Sequence, residues 1–194
     1  VKIVKSELND CVYFDIHTII LDAVSHLKKL GHSDIMFLSE KLSAAKIDIF
    51  VNVMRECGLR ADAKSALCTD LRFEEAGYSL IENLLDSGKT PPTAFIAAYD
   101  EIAVGAMKAL FERGYKIPGD ISVMGINDIP SSRYGNPPLT TVGFDKKTMC
   151  KSAVRLLLER ILNPQAPSAP RLIQVEHNLI ARGTTAKRKA DKTP

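Results

Sequence analysis

No apolar run in this chain approaches the roughly 18 to 20 residues that a membrane-spanning helix requires, and its first residues lack the charged-then-apolar layout of a secretory signal. The expected location is therefore the cytoplasm, with no membrane partner. Cysteine chemistry is equally thin: Cys11, Cys57, Cys68 and Cys150 are scattered, with no CxxC pair and no histidine at metal-ligand spacing. They read as buried or surface thiols, not as disulfides or metal ligands. There is no GxxxxGK[ST] loop, and no GxGxxG follows any strand-like run, so nucleotide-processing enzymes lose their main support. None of His17, His26, His32 and His177 lies in a nucleophile elbow such as GxSxG, which leaves histidine catalysis without footing. His26 and His32 flank a helix end, where capping or surface exposure is the ordinary role because cations suit helix C-termini. No cofactor is implied.

What remains is an ordinary soluble composition. The 194 residues are 45% hydrophobic and 25% charged, enough for one domain or two small lobes with a sizeable core. The formal net charge is +3, and Lys187, Arg188, Lys189 and Lys192 at the C-terminal end hold much of the excess. That is too modest to make nucleic acid the default partner of this segment. Residue 1 is Val, and the apolar run over residues 1–4 begins abruptly, which suggests a piece of a longer protein.

Amphipathic helices alternate with short apolar runs. Helices are predicted over residues 17–30, 44–57, 73–85 and 101–113, stopped by Gly31, Gly58, the Asp86-Ser87-Gly88 turn and Gly114. Strands are predicted over 34–38, 66–69, 93–98 and 121–126. The alternation predicts an α/β fold with a doubly wound parallel sheet whose strand carboxyl ends open on one edge. Beyond Val142, residues 146–162 read as one long amphipathic helix. Pro164, Pro167 and Pro170 then make an extended connector, and short β runs follow at 172–175 and 179–181. From Gly183 the composition predicts a frayed, flexible basic tail.

Ligands bind outside strand carboxyl ends, so the polar residues there are the candidates. Lys46, near the start of the second helix, is either simply solvated or placed to hold a ligand hydroxyl or carboxylate. Arg72 and Phe73 share that ambiguity, since an aromatic there is more often core than ligand platform. Asp100, at a strand-to-helix turn after Tyr99, reads first as an N-cap. Asn127 and Asp128, ending the run VMGIND, divide between turn formation and ligand contact.

Four blocks carry a family resemblance: HLKKLGHSDIMFL (26–38), PTAFIAAYDEIAVGAMKALFERGYKIPGDISVMGINDIP (92–130), PPLTTV (137–142) and LIARGTT (179–185). In order and spacing they resemble the effector-binding core of LacI/GalR transcriptional regulators, whose fold is that of the type I periplasmic binding proteins. The resemblance implies one near-complete lobe and part of a second. Residues 13–138 would form the C-terminal effector-binding lobe, 139–170 a crossing strand, helix and connector of the N-terminal lobe, 171–182 the return, and 183–194 the tail. It further implies a small-metabolite effector between the lobes, a homodimer, and an operator bound through an N-terminal helix-turn-helix domain absent from this chain.

Carried over residue by residue, the resemblance makes Lys46, Arg72, Phe73, Tyr99, Asp100, Asn127 and Asp15 the effector contacts. Lys46 stands where the family usually has arginine, and Tyr99 where asparagine is common. Asn127 replaces a frequent aspartate, and Arg72 the usual stacking aromatic, unless Phe73 takes that part. Asp15 keeps the start of a DN pair whose asparagine is here Ile16. Two other readings stand beside this one. The first is a periplasmic sugar-binding protein of the same fold; the second is a small α/β transferase or isomerase using Asp100 or Asp128 as acid or base.

Overall fold

The computed structural model of the chain describes residues 9–163 and 169–189. The apolar start at 1–4, Pro164 and Pro167 of the connector, and Lys192 of the tail lie outside them. Buried positions recur at the spacing that the helical pattern demands. In α1 (Ile16–Lys29), Ile19, Ile20, Ala23, Val24 and Leu27 form one buried stripe, and Asp15 caps the N-terminus by accepting the His17 N–H at 2.9 Å. The helix ends at Gly31, whose φ of 90° suits a residue without Cβ. The other elements follow in chain order: β2 (Ile35–Glu40), α2 (Ala45–Glu56), β3 (Ala66–Thr69), α3 (Phe73–Asp86), β4 (Ala94–Ala97), α4 (Asp100–Glu112), β5 (Ser122–Ile126) and β6 (Thr140–Phe144).

A six-stranded sheet has the order β3-β2-β4-β5-β6-β8, parallel except for β8 (His177–Ile180), which runs antiparallel to β6 at the edge. The α1/α2 pair covers one face and α3/α4 the other, as a doubly wound sheet requires. Strands β4 and β5 are buried along their whole length, which explains why they read as unbroken apolar runs. The core between the layers is centred on Phe37, Phe50, Phe95, Ile96 and Met124, with the Phe37 and Phe50 rings stacked 5.2 Å apart.

Helices α3 and α4 cross almost backbone to backbone. A Cβ on Gly77 would stand 1.9 Å from the Ile102 carbonyl oxygen, and one on Gly105 would stand 1.8 Å from that of Glu74. Neither obstacle is a movable side chain. Gly105→Ala is therefore expected to destabilise the fold by about 2–4 kcal/mol through forced separation of the helices, read as a lower midpoint in urea unfolding.

A second, small unit consists of β1 (Cys11–Tyr13) paired in parallel with β7 (Leu172–Gln174), together with α5 (Lys146–Leu162). Asp10 ties it together, since Arg160 and Arg171 both donate to its carboxylate and hold its pKa well below the usual range. In α5 only Leu156 is buried, while Val154, Leu157, Leu158, Ile161 and Leu162 stay exposed.

Three expectations need correction. The crossing strand does not belong to the second lobe, because β6 pairs with β5 and β8 inside the large sheet. Residues 172–174 do not return to the large sheet, because they pair with β1. The segment after Gly183 is not frayed through Lys189. Thr184 is buried, donating to the Val123 carbonyl at 2.6 Å and accepting from the Thr140 N–H at 2.8 Å, and the Arg188 N–H donates to the Leu30 carbonyl at 2.8 Å. His26 and His32 serve this attachment instead of capping α1: His26 meets the Thr185 hydroxyl, and buried His32 meets Thr93, Ser122 and the Ala186 carbonyl. Burial is the main reason both imidazoles are pushed below their ordinary pKa, with neighbouring cations adding to it.

Candidate functional site

The strand order reverses between β2 and β4, and a crevice opens at their carboxyl ends, where ligands enter doubly wound sheets. A cavity of about 630 Å³ lies there, between the large sheet's helices and the small unit. Lys46, Tyr99, Asn127 and Asp15 all line it, so four of the seven sequence candidates converge. Helix α2 turns one stripe (Phe50, Val53, Met54) to the core and another (Ala45, Ile49, Asn52, Glu56) to the cavity.

Lys46 is the site's most unusual charge. Its Nζ donates to the Ala98 carbonyl at 2.9 Å and lies 4.1 Å from the Tyr99 ring centroid. Among the described residues no carboxylate forms an ion pair with it. Burial lowers its pKa to about 8, with the charge of Glu40 opposing. The Tyr99 hydroxyl is pushed the other way, first by burial and then by Glu40. At the cavity's rim His17 and Glu56 join α1 to α2 at 2.9 Å.

Arg72, Phe73 and Asp100 do not line the cavity. Glu40, fully buried, accepts from Arg72 Nε at 2.9 Å and from the Phe73 N–H at 3.2 Å, which ties both residues to the carboxyl end of β2. Arg72 then covers the Phe73 ring, 4.4 Å from its centroid. Asp100 is fully buried and is the first residue of α4, with Tyr99 at the N-cap position. Its carboxylate accepts from Ile129 N–H (2.9 Å), Ser132 Oγ (2.7 Å) and Thr141 Oγ1 (2.6 Å). It is therefore not the N-cap, and its carboxylate links α4 to the loop after β5 and to β6. Gly125 makes room for it, since a Cβ there would stand 2.1 Å from Asp100 Oδ1.

Asp128 is likewise taken up. Burial opposes its ionisation, but hydrogen bonds from Arg182 (2.5 Å) and Arg133 (2.9 Å) outweigh that and keep its pKa below the ordinary value. Its carbonyl accepts from Lys146 at the start of α5, 3.1 Å away. Phe73, Asn127 and Asp128 have φ of 53°, 122° and 47°. Left-handed backbone at three non-glycine residues on one crevice edge is strain of the sort that collects at binding sites.

The sequence reading missed Phe14, Asn52 and Met149, all of which line the cavity. The second stripe of α2 was a usable signal for Asn52. Phe14 had none, because a residue between a three-residue strand and a helix shows no periodicity.

A periplasmic binding protein-like domain family matches residues 24–185. The HTH-type transcriptional repressor PurR of Glaesserella parasuis is 36% identical over 170 residues, covering 84% of this chain and 49% of that protein. The chain thus spans about half the length of the curated relatives it matches. A LacI-family structure from Sanguibacter keddieii superposes with a TM-score of 0.83 at 28% identity, over 90% of this chain and 68% of that one. A LacI-family regulator from Enterococcus faecium with bound ribose gives 0.78 at 26%, over 93% and 66%.

Proposed function

The chain belongs to the periplasmic binding protein-like family and is a LacI/GalR-type effector-binding core, and from that premise we propose that its cleft takes up a small metabolite whose binding changes the operator affinity of a DNA-binding domain. The observation that carries this reading is the convergence of Lys46, Tyr99, Asn127 and Asp15 on one cavity at the strand-order reversal. The cavity sits between two units, walled by α2 of the large one and by Tyr13 and Met149 of the small one. A ligand touching both stabilises one relative placement of the units. That is the differential affinity which coupling to a distant site requires.

Asp100 and Asp128 are taken up by structural partners, and this speaks against the transferase or isomerase reading that would use one of them as acid or base. The curated relatives are described as transcriptional regulators, which favours regulation over transport. No helix among the described residues is long and apolar enough to cross a membrane. As a DNA-binding regulator the protein would act in the cytoplasm, as a homodimer whose two-fold axis matches a two-fold operator.

The test is a thermal-shift screen of sugars, purines and amino acids, followed by calorimetric titration of the best hit. Lys46→Ala and Asn127→Ala are each expected to weaken that hit at least tenfold, about 1.4 kcal/mol or more, as loss of a charged or amide hydrogen bond predicts. Unchanged affinity in both variants would refute the assignment.

A further inference from the structure

The family resemblance places a stacking aromatic at position 72 or 73, and this chain has disabled both. Arg72 is fixed to buried Glu40, and Phe73 lies under the Arg72 guanidinium outside the cavity. Another aromatic takes the cavity wall. Phe14, between β1 and α1, lines it, and its ring stacks on Phe144 with centroids 4.3 Å apart and planes inclined by 21°. Phe144 ends β6 and stacks on one face of the Phe14 ring, which braces a residue of the cavity lining from its own side. Tyr99, the aromatic on α4's side, already has Lys46 over its ring.

We infer that Phe14, braced from behind by Phe144, is the residue on which a flat heteroaromatic ring of the effector stacks. The inference rests on the effector-cleft reading and narrows its ligand. A free sugar presents a hydroxyl at nearly every carbon, and each one buried without a partner is penalised. The lining here is chiefly apolar, with Phe14, Ile16, Leu42, Ile49 and Met149 among its residues. Much of its polar equipment is engaged already: Asp15 caps α1, His17 pairs with Glu56, and Ser43 bonds to Ser39. Such a wall suits a planar ring with a few edge acceptors, for which Lys46, Asn52 and Asn127 supply donors. No arginine is in the lining, and a lining whose one lysine is offset by the carboxylates of Asp15 and Glu56 is a poor match for a phosphate dianion. The ligand class is therefore an uncharged nucleobase or nucleoside, not a free pentose or a phosphorylated one.

The probes are adenine, cytosine, adenosine, cytidine, ribose and ribose 5-phosphate, titrated calorimetrically into the whole chain and into Phe14→Leu, Phe14→Tyr and Phe144→Leu. At least one base or nucleoside is expected to bind tenfold or more tightly than ribose. Phe14→Leu, which keeps an apolar side chain but no ring, is expected to lose roughly tenfold for that ligand, and Phe14→Tyr to restore it. Phe144→Leu falls between, as a positioning residue should. Thermal midpoints of the ligand-free variants identify any that fail to fold, and Phe14→Tyr then carries the comparison alone: it must bind the base no less tightly than the parent. Ribose binding as tightly as its nucleosides, or a Phe14→Leu variant with full affinity for the base, overturns the stacking assignment and leaves the effector cleft standing. Base binding that is insensitive to both Phe14 and Lys46 overturns the cleft reading as well, and so does the absence of binding by every probe and by every compound of the wider screen.

Discussion

Asp100→Ala is expected to lower the unfolding free energy by about 3 kcal/mol, while Asp100→Asn lowers it by only about 1 kcal/mol. The alanine leaves the Ile129 N–H and the Ser132 and Thr141 hydroxyls without the acceptor that now serves all three. It also removes the link from α4 to the loop after β5 and to β6, where the side chain is fully buried. The amide can do much of the same work. Its oxygen takes the place of Oδ2 opposite Ile129 and Ser132, and its NH₂ donates to a Thr141 hydroxyl turned to accept. Urea unfolding with effector titration in parallel separates this role from ligand contact. A structural Asp100 gives an asparagine variant with nearly intact affinity. A ligand contact would give the reverse, intact stability and lost affinity, and would restore the expectation that the resemblance carried.

The same residue shows where sequence reading runs out. Its position at a strand-to-helix turn was legible, because the buried run ending at Ala98 and the amphipathic run over α4 are both periodic signals. What its carboxylate faces was not, since Ser132 and Thr141 are 32 and 41 residues away and meet it only once β6 lies beside β5. Arg72 illustrates a second kind of loss. It occupies the position of a family ligand contact, but Glu40 in the same chain claims its guanidinium, and nothing in either residue alone announces the pair. By contrast β3 and α5 appear at the predicted residues, and α1 to α4 within a residue at each end, because propensity and hydrophobic period agree there. The lobe crossings were misassigned for a related reason. Three- and five-residue strands carry no record of which sheet they join, and that choice is made by long-range pairing such as Cys11 with Leu172. The C-terminal segment was misread because polar composition alone suggested fraying, whereas its backbone is held by His32, Ser122 and Leu30.

Lys46 is expected to make the protein more stable as the solution becomes more alkaline. Its ammonium is held in the cavity wall with a pKa of about 8, against an ordinary lysine value of 10.5. Between those two values this lysine binds more protons in the unfolded chain than in the folded one, so its contribution to the unfolding free energy, read as parent minus Lys46→Met, rises with pH across that window, while the raised Tyr99 hydroxyl acts in the opposite sense in both proteins. Below pH 8 both states are protonated and the full burial cost of the charge is present. A displacement of that size corresponds to about 3 kcal/mol, and Lys46→Met is expected to abolish the rise. At pH 7 the methionine variant is expected to be more stable than the parent by about 1 kcal/mol, because relief from burying a charge exceeds the lost hydrogen bond to the Ala98 carbonyl. A residue that lowers stability where it stands is tolerated when a ligand needs it, which is the trade expected of a binding site. An effector that places an acceptor on Nζ stabilises the charged form and raises this pKa. Binding near pH 8 to 9 is then accompanied by proton uptake, measured as a calorimetric enthalpy that changes with the ionisation heat of the buffer. Lys46→Met should lose that dependence along with most of the affinity. A stability difference between parent and Lys46→Met that stays flat from pH 8 to 10.5 would mean that Lys46 meets more water, or more negative charge, than its place between Ala98 and Tyr99 implies.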